Sequence, residues 1–349
     1  MTGGAARQRG RGSARALSAA GAFLAASLAF GADAGAGPTV WTRAREPGVS
    51  VQDEQVREAQ KALLRYRRMR YANGRDTPAL VELLLRDARN ELSHIVGAGT
   101  ADFGVRLLYA QILDESQMRD EATEVLKKLL ADRPPAPIRA DALADLAVLH
   151  ARAGRREEEI HAYTAALEIE PHGSSRSRLL ANRAEALMAM GDVTAAVEGY
   201  RAALAPLTKL EMFVSGSTTL FGLGVALDRS GNPEAGMEAV KLARSYEPTD
   251  AGLRRSSWFF SPPHDSHWYW ALGAWTCART ASLWALRAEC YERAIAEWDR
   301  YMAAAPPGDP WLPLANVRKA GVERERDRMR KEYERQRKAE AGAHHEDVR

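Results

Sequence analysis

Residues 180–204 read LANRAEALMAMGDVTAAVEGYRAAL. An amphipathic helical pattern runs to Met190, breaks at Gly191, and resumes as a second amphipathic pattern through Tyr200. Ala184 in the first half and Ala196 in the second are small enough for two helices to approach closely. Glycine between them can take the left-handed conformation that ends a helix without Cβ strain. The stretch therefore predicts a helical hairpin, and the same design recurs on both sides of it. Upstream stands LADLAVLHARAGRREEEIHAYTAALEIEP (143–171) and downstream LFGLGVALDRSGNPEAGMEAVKLARSYEP (220–248). Their turn glycines, Gly154, Gly191 and Gly231, lie 37 and 40 residues apart. A fourth copy, LLYAQILDESQMRDEATEVLKKLLADRP (107–134), has Gln117 at the turn, and Pro134 in register with Pro171 and Pro248.

These four units resemble the tetratricopeptide repeat, a helix-turn-helix unit of about 34 residues. Small residues occupy the first helices (Ala110, Ala147, Ala184, Gly224) and the second (Ala122, Ala196, Gly236), while Leu126, Tyr163, Tyr200 and Val240 fill the layer between units. Glu159 departs from the pattern and predicts a looser second unit or an acid turned outward. One unit cannot bury its apolar face alone, whereas three or more stacked units can. The expected fold is all-α, an α-solenoid with flanking helical caps.

The resemblance implies that first helices line a concave face that receives partners as extended peptides or helices. Aligning the units places Gln111, Asp114, Asp141, Asp145, Val148, Arg152, Arg178, Asn182, Glu185, Met188, Phe221, Val225 and Asp228 near that face. Chaperone-binding members of the family clamp a C-terminal carboxylate with Lys and Asn. Only Arg178 and Asn182 are similar here, and Asp141 and Asp145 stand in the neighbouring unit, which disfavours such a ligand. The implied role is a non-enzymatic scaffold for a basic or amphipathic protein segment.

Outside the array, residues 1–34 carry four arginines, an apolar run from about Ala16 to Phe30 and then small residues. That succession reads as a signal peptide cleaved before Gly35, which places the protein in the periplasm or envelope; retention as an anchor is the competing reading. Its removal takes away four arginines and Asp33, so the 49 basic and 46 acidic side chains become equal in number. Bulk charge then gives no pull towards nucleic acid, and no other segment is apolar enough to span a bilayer. Residues 35–50 read as a linker, 51–98 as a helical pair, 101–250 as the array, 251–315 as an aromatic-rich helical unit and 316–349 as a charged tail. In the first of these helices RYRRMR (65–70) suits the solvated side, with Val56, Leu63 and Tyr66 inward. The tail carries a sparse stripe of Val322, Met329 and Tyr333 and reads as a solvated or frayed helix, with a weak coiled coil as the alternative.

Common catalytic signatures are absent: there is no phosphate-binding glycine loop, His-Glu-x-x-His, Gly-x-Ser-x-Gly or Cys-x-x-Cys. The stretch WFFSPPHDSHWYWALGAW (258–275) draws attention because seven of its eighteen residues are aromatic. Such rings bring on the order of 1,000–1,700 Å² of surface, more than the ~300–600 Å² patch a soluble monomer exposes. Packing against the end of the array is therefore expected, with WFF lying across it and Trp270 inward; a ligand site or self-association surface is the competing reading. His264, Asp265 and His267 have the chemistry of an open metal site. The favoured reading is that Asp265 or Ser266 caps a helix beginning at His267, so neither metal nor cofactor is expected. Cys277 and Cys290 are too far apart to bridge along one continuous helix of about 20 Å. An enlarged turn would bring them together, and the sequence leaves both arrangements open.

Overall fold

The computed structural model describes residues 51–73, 78–169, 173–248, 253 and 260–346. They belong to one compact unit within Val40–Arg349. The expected signal peptide and linker, and Trp258 and Phe259 of the aromatic stretch, lie outside the described residues. Among the described residues every regular element is helical.

The chain forms successive helical hairpins. Helices α1 (Val51–Asn73) and α2 (Ala79–Gly97) make the first. The four repeats follow as α3 (Phe103–Glu115) with α4 (Arg119–Ala131), α5 (Ala136–Arg152) with α6 (Arg156–Ile169), α7 (Gly173–Ala189) with α8 (Val193–Leu204), and α9 (Ser217–Arg229) with α10 (Pro233–Tyr246). A sixth hairpin, α11 (Asp265–Thr280) with α12 (Trp284–Ala304), continues the stack, and α13 (Leu312–Glu346) packs on α12. Each hairpin's second helix rests on the next hairpin's first, from α2 on α3 through to α10 on α11. The fold is thus an all-α solenoid.

Local chemistry accounts for these boundaries. Gly154, Gly191 and Gly231 have φ of 71°, 89° and 92°, and Gln117 takes the same left-handed conformation at 64°. Asp102 caps α3 by accepting from the amides of Gly104 and Val105, Asp192 caps α8, and Asn232 caps α10 ahead of Pro233. Close approach is tightest in the fourth repeat, where a Cβ on Gly236 would sit 2.6 Å from the Gly224 carbonyl oxygen. Leu126, Tyr163, Tyr200 and Val240 are all buried, as the repeat pattern requires. The longer period between the third and fourth repeats comes from an inserted turn, Lys209–Glu211, and a π-helical turn, Met212–Gly216, ahead of α9.

Three expectations are corrected. Glu159 is buried and neither loosens its unit nor turns outward, because Arg156 Nη1 donates to its carboxylate at 2.6 Å. The tail is not a solvated helix along its length. Val322 and Met329 are buried, and Trp275 Nε1 and Arg279 Nε donate to Glu325 at 2.9 and 3.0 Å, so the first half of α13 is packed. Asp265 caps nothing: α11 begins at Asp265 itself, and its carboxylate accepts from Arg229 Nη1 and Nη2 at 3.2 and 2.7 Å. Ser266 Oγ donates instead to the Pro263 carbonyl.

That helix start also fixes the aromatic register. Asp265, Trp268, Tyr269 and Leu272 share one face by helical spacing and are buried, whereas Trp270 is only partly covered and is not the inward ring. Trp268 stands edge-on to Trp298 and Tyr301, with centroids 4.8 and 5.0 Å away. Phe260 meets Tyr269 edge-on at 5.0 Å. The hairpin turn between α11 and α12 brings Cys277 and Cys290 to a Cα separation of 5.9 Å, and they form a disulfide.

Candidate functional site: the face of the first helices

The odd helices α3, α5, α7 and α9 put matching positions of successive repeats side by side. Six residues before each turn stand Gln111, Val148, Glu185 and Val225; three before stand Asp114, Ala151, Met188 and Asp228. Polar side chains at neighbouring positions bond across the units. Gln111 Nε2 donates to Asp145 Oδ2 at 2.9 Å, 34 residues away in sequence. Arg152 Nη1 pairs with the Asp114 carboxylate. Arg67 Nε, from α1, donates to Glu115 at 2.8 Å.

Along the first three repeats this face reaches solvent. Asp141 and Arg178 are exposed, and Gln111, Asp114, Asp145, Val148, Arg152, Asn182 and Glu185 are half-buried. The acidity read from the sequence is partly spent within the face, since Asp114 is neutralised by Arg152. Burial raises the Asp145 carboxyl above its ordinary range, with the Gln111 hydrogen bond opposing. Burial likewise pushes Glu185 up to about 8, helped by the nearby acids Glu159 and Asp265. Asn182 Nδ2 donates to the Tyr163 hydroxyl at 3.2 Å.

The remaining four expected groove residues do not line an open surface. Met188, Phe221, Val225 and Asp228 are at most 2% exposed. At Phe221 and Asp228 the cover is the C-terminal segment, which folds back over α9. Trp268 Nε1 donates to Asp228 Oδ2 at 2.9 Å, and Arg318 Nε donates to Asp228 Oδ1 at 2.7 Å. Next to it, Arg229 is wholly buried between the rings of Trp268 and Trp311, at 4.5 and 5.0 Å, and is neutralised by Asp265. Farther back, Ser261 Oγ accepts from Arg156 Nη2 at 2.7 Å and donates to the Ala151 carbonyl at 2.9 Å.

The two histidines of the aromatic stretch point to separate acids. His264 Nε2 lies 2.9 Å from Asp309, and His267 Nδ1 lies 2.7 Å from Glu297. Arg156, Arg229, Arg318, Tyr200 and Tyr269 shape this face and were not singled out for it by repeat position. Only the acid Glu159 at a small-residue position hinted that a buried cation was near.

Helix pairs joined by left-handed turns and stacked hairpin on hairpin form a solenoid of tetratricopeptide type. No family model and no curated protein matches the chain. Solved structures that it resembles include a crystal structure of MamA, at 15% identity over 49% of this chain and 93% of that one, with TM-score 0.41. Another is a tetratricopeptide repeat protein from Parabacteroides merdae ATCC 43184, at 14% identity over 75% of this chain and 99% of that one, with TM-score 0.44. A third is the APC/C hetero-tetramer Cut9-Hcn1, at 14% identity over 80% of this chain and 52% of that one, with TM-score 0.44.

Proposed function

We propose that the protein is an exported, non-enzymatic scaffold that holds a basic or amphipathic segment of another protein across α3, α5 and α7. One observation carries this reading: the polar groups of three successive first helices are gathered on a single face that solvent reaches. Cross-unit bonds hold Gln111 against Asp145 and Arg152 against Asp114, so that face is ordered before a partner arrives. Preorganised side chains lose less entropy on binding. Export is supported by the basic, apolar and small-residue succession of residues 1–34, and by the Cys277–Cys290 disulfide, which suits an oxidising compartment.

The test is capture from envelope extract by immobilised protein, wild type against Asp141→Lys. Loss of a captured band in the variant, with circular dichroism unchanged, is expected. Retention at wild-type strength removes the face from consideration. Intact mass of the protein recovered from a bacterial envelope fraction checks export, with a chain beginning at Gly35 expected and a full-length cytosolic chain contradicting it.

A further inference from the structure

The turn between α11 and α12 departs from those of the repeats. The turn glycines Gly154, Gly191 and Gly231 are followed by Arg155, Asp192 and Asn232, polar residues suited to water. Residues 281–286 read ASLWAL instead, and none of them is buried. Leu283 is 68% exposed and Leu286 42%, while Trp284 is partly covered. The Cys277–Cys290 disulfide closes the span around them and ties together the two helices that carry the turn. These apolar side chains are therefore displayed at a fixed place.

Helix α13 extends the patch and gives it charge. The Tyr333 ring, 38% exposed, lies 5.3 Å from that of Trp284. Each ring carries a guanidinium: Arg287 Cζ lies 4.8 Å from the Trp284 centroid, and Arg337 Cζ lies 6.0 Å from that of Tyr333. Positions three and four residues either side of Tyr333 share its face, and they are Met329, Arg330, Gln336 and Arg337. None is acidic, and both arginines are exposed. Glu332 and Glu334 are turned about 100° to either side by the helical repeat. On α12, Glu292 is shared by Arg326 and Arg330 at 3.4 and 3.9 Å, and Glu289 follows Leu286 by one turn. Cations thus outnumber acids around the exposed leucines and rings.

A second copy docked on the same patch would set Arg287, Arg330 and Arg337 against themselves. An anionic bilayer answers both halves of the patch. Its acyl region takes exposed leucines, its headgroup level suits the amphipathic rings of Trp and Tyr, and its phosphates meet guanidinium groups. We propose that the α11–α12 turn and the Tyr333 face of α13 together form a docking surface for an anionic lipid bilayer. This surface uses no residue of the face across α3, α5 and α7, so it stands apart from the protein-binding reading.

The probe is vesicles of phosphatidylcholine with about one-third phosphatidylglycerol, against vesicles of phosphatidylcholine alone, since anionic lipid attracts clustered arginines. They are added to the full chain, and amide hydrogen exchange is followed by mass spectrometry. Anionic vesicles are expected to slow exchange across 281–287 by about tenfold or more, and neutral vesicles far less. Arg330→Glu with Arg337→Glu should bring that slowing down to the neutral-vesicle level and leave exchange without vesicles unchanged. Because only the amides of the turn are scored, lipid contact elsewhere in the chain does not count. Exchange across 281–287 that anionic vesicles leave unchanged overturns the proposal and leaves the patch to a protein partner. Equal slowing by both kinds of vesicle overturns the role of the arginines and with it the proposal. Slowing that appears on raising the protein concentration without vesicles overturns it in favour of a second copy. Should the double variant fail to fold, the wild-type contrast between the two vesicles decides alone.

Discussion

Asp114 and Asp228 hold the same place in their repeats, three residues before the turn, and do opposite work. Asp114 lies near solvent and pairs with Arg152 across the face of the first helices. Asp228 is fully buried, where Trp268 and Arg318 converge on it and its own desolvation raises its pKa. One repeat position therefore serves as surface at one end of the array and as a core tie at the other. What changes is the cover: α11 and α13 lie over the fourth repeat, while the face of the first three reaches solvent.

The sharpest way to break this comparison is to remove both aspartates in turn. Asp228→Ala takes the acceptor from the Trp268 indole and from Arg318 Nε, leaves Arg318 only the backbone carbonyl, and should cost about 3–5 kcal/mol, the range for breaking a buried charge pair. Asp114→Ala breaks a half-buried pair that solvent still reaches and should cost less, about 1 kcal/mol. Urea unfolding followed by circular dichroism measures both, and equal losses would erase the distinction between the two ends.

A smaller effect is expected from the disulfide. Replacing Cys277 and Cys290 by Ser opens a loop of 13 residues and should lower stability by roughly 2–3 kcal/mol through loop entropy. The loss should appear mainly as earlier melting of the covered end, read by tryptophan fluorescence, since Trp268, Trp270 and Trp275 all lie on α11.

Next in size is a pH effect at the boundary between the two regions. Glu185 holds its proton up to about 8 in the fold, against an ordinary value of 4.5. The folded state therefore binds more protons than the unfolded chain between those values, and stability falls as pH rises through that window. Glu159 and Asp145 are raised as well and act in the same direction. Glu185→Gln should flatten the fall in melting temperature between pH 5 and 8, and a slope unchanged from wild type would contradict it.

Least of all should be the change at an exposed position. Asp141→Lys should alter stability by less than about 0.5 kcal/mol, so any loss of capture it causes reports on binding and not on folding.

The array was legible because its determinants are local. A turn glycine, small residues on the facing helices and a bulky residue between units identify a repeat without reference to any other segment, and even Gln117 and Glu159 could be placed by register alone. The covered end was not legible, because it depends on contacts 36 to 90 residues apart in sequence, Arg229 with Asp265 and Arg318 with Asp228. Nothing local distinguishes Asp228 from Asp114. The aromatic stretch announced that something must cover its rings, but helical phase, set by Asp265 entering α11, decided that Trp268 and Tyr269 face inward and Trp270 does not. The open portion of the candidate face followed from the repeat register; the buried portion needed the fold-back.

The node at Asp228 also gives the molecule a direction. A stack of hairpins is coupled mainly to nearest neighbours, so in the absence of other ties it could fray from either end. Here Asp228 is joined to α11 and α13 together, which binds the last repeat, the sixth hairpin and the final helix into one block that must open as a unit. The ties of the first hairpin at Glu115, from Tyr66 and Arg67, reach one neighbouring hairpin. Under a pulling force or a threading protease the chain should therefore be consumed from α1 onward, and the last structure surrendered should be the block around Trp268.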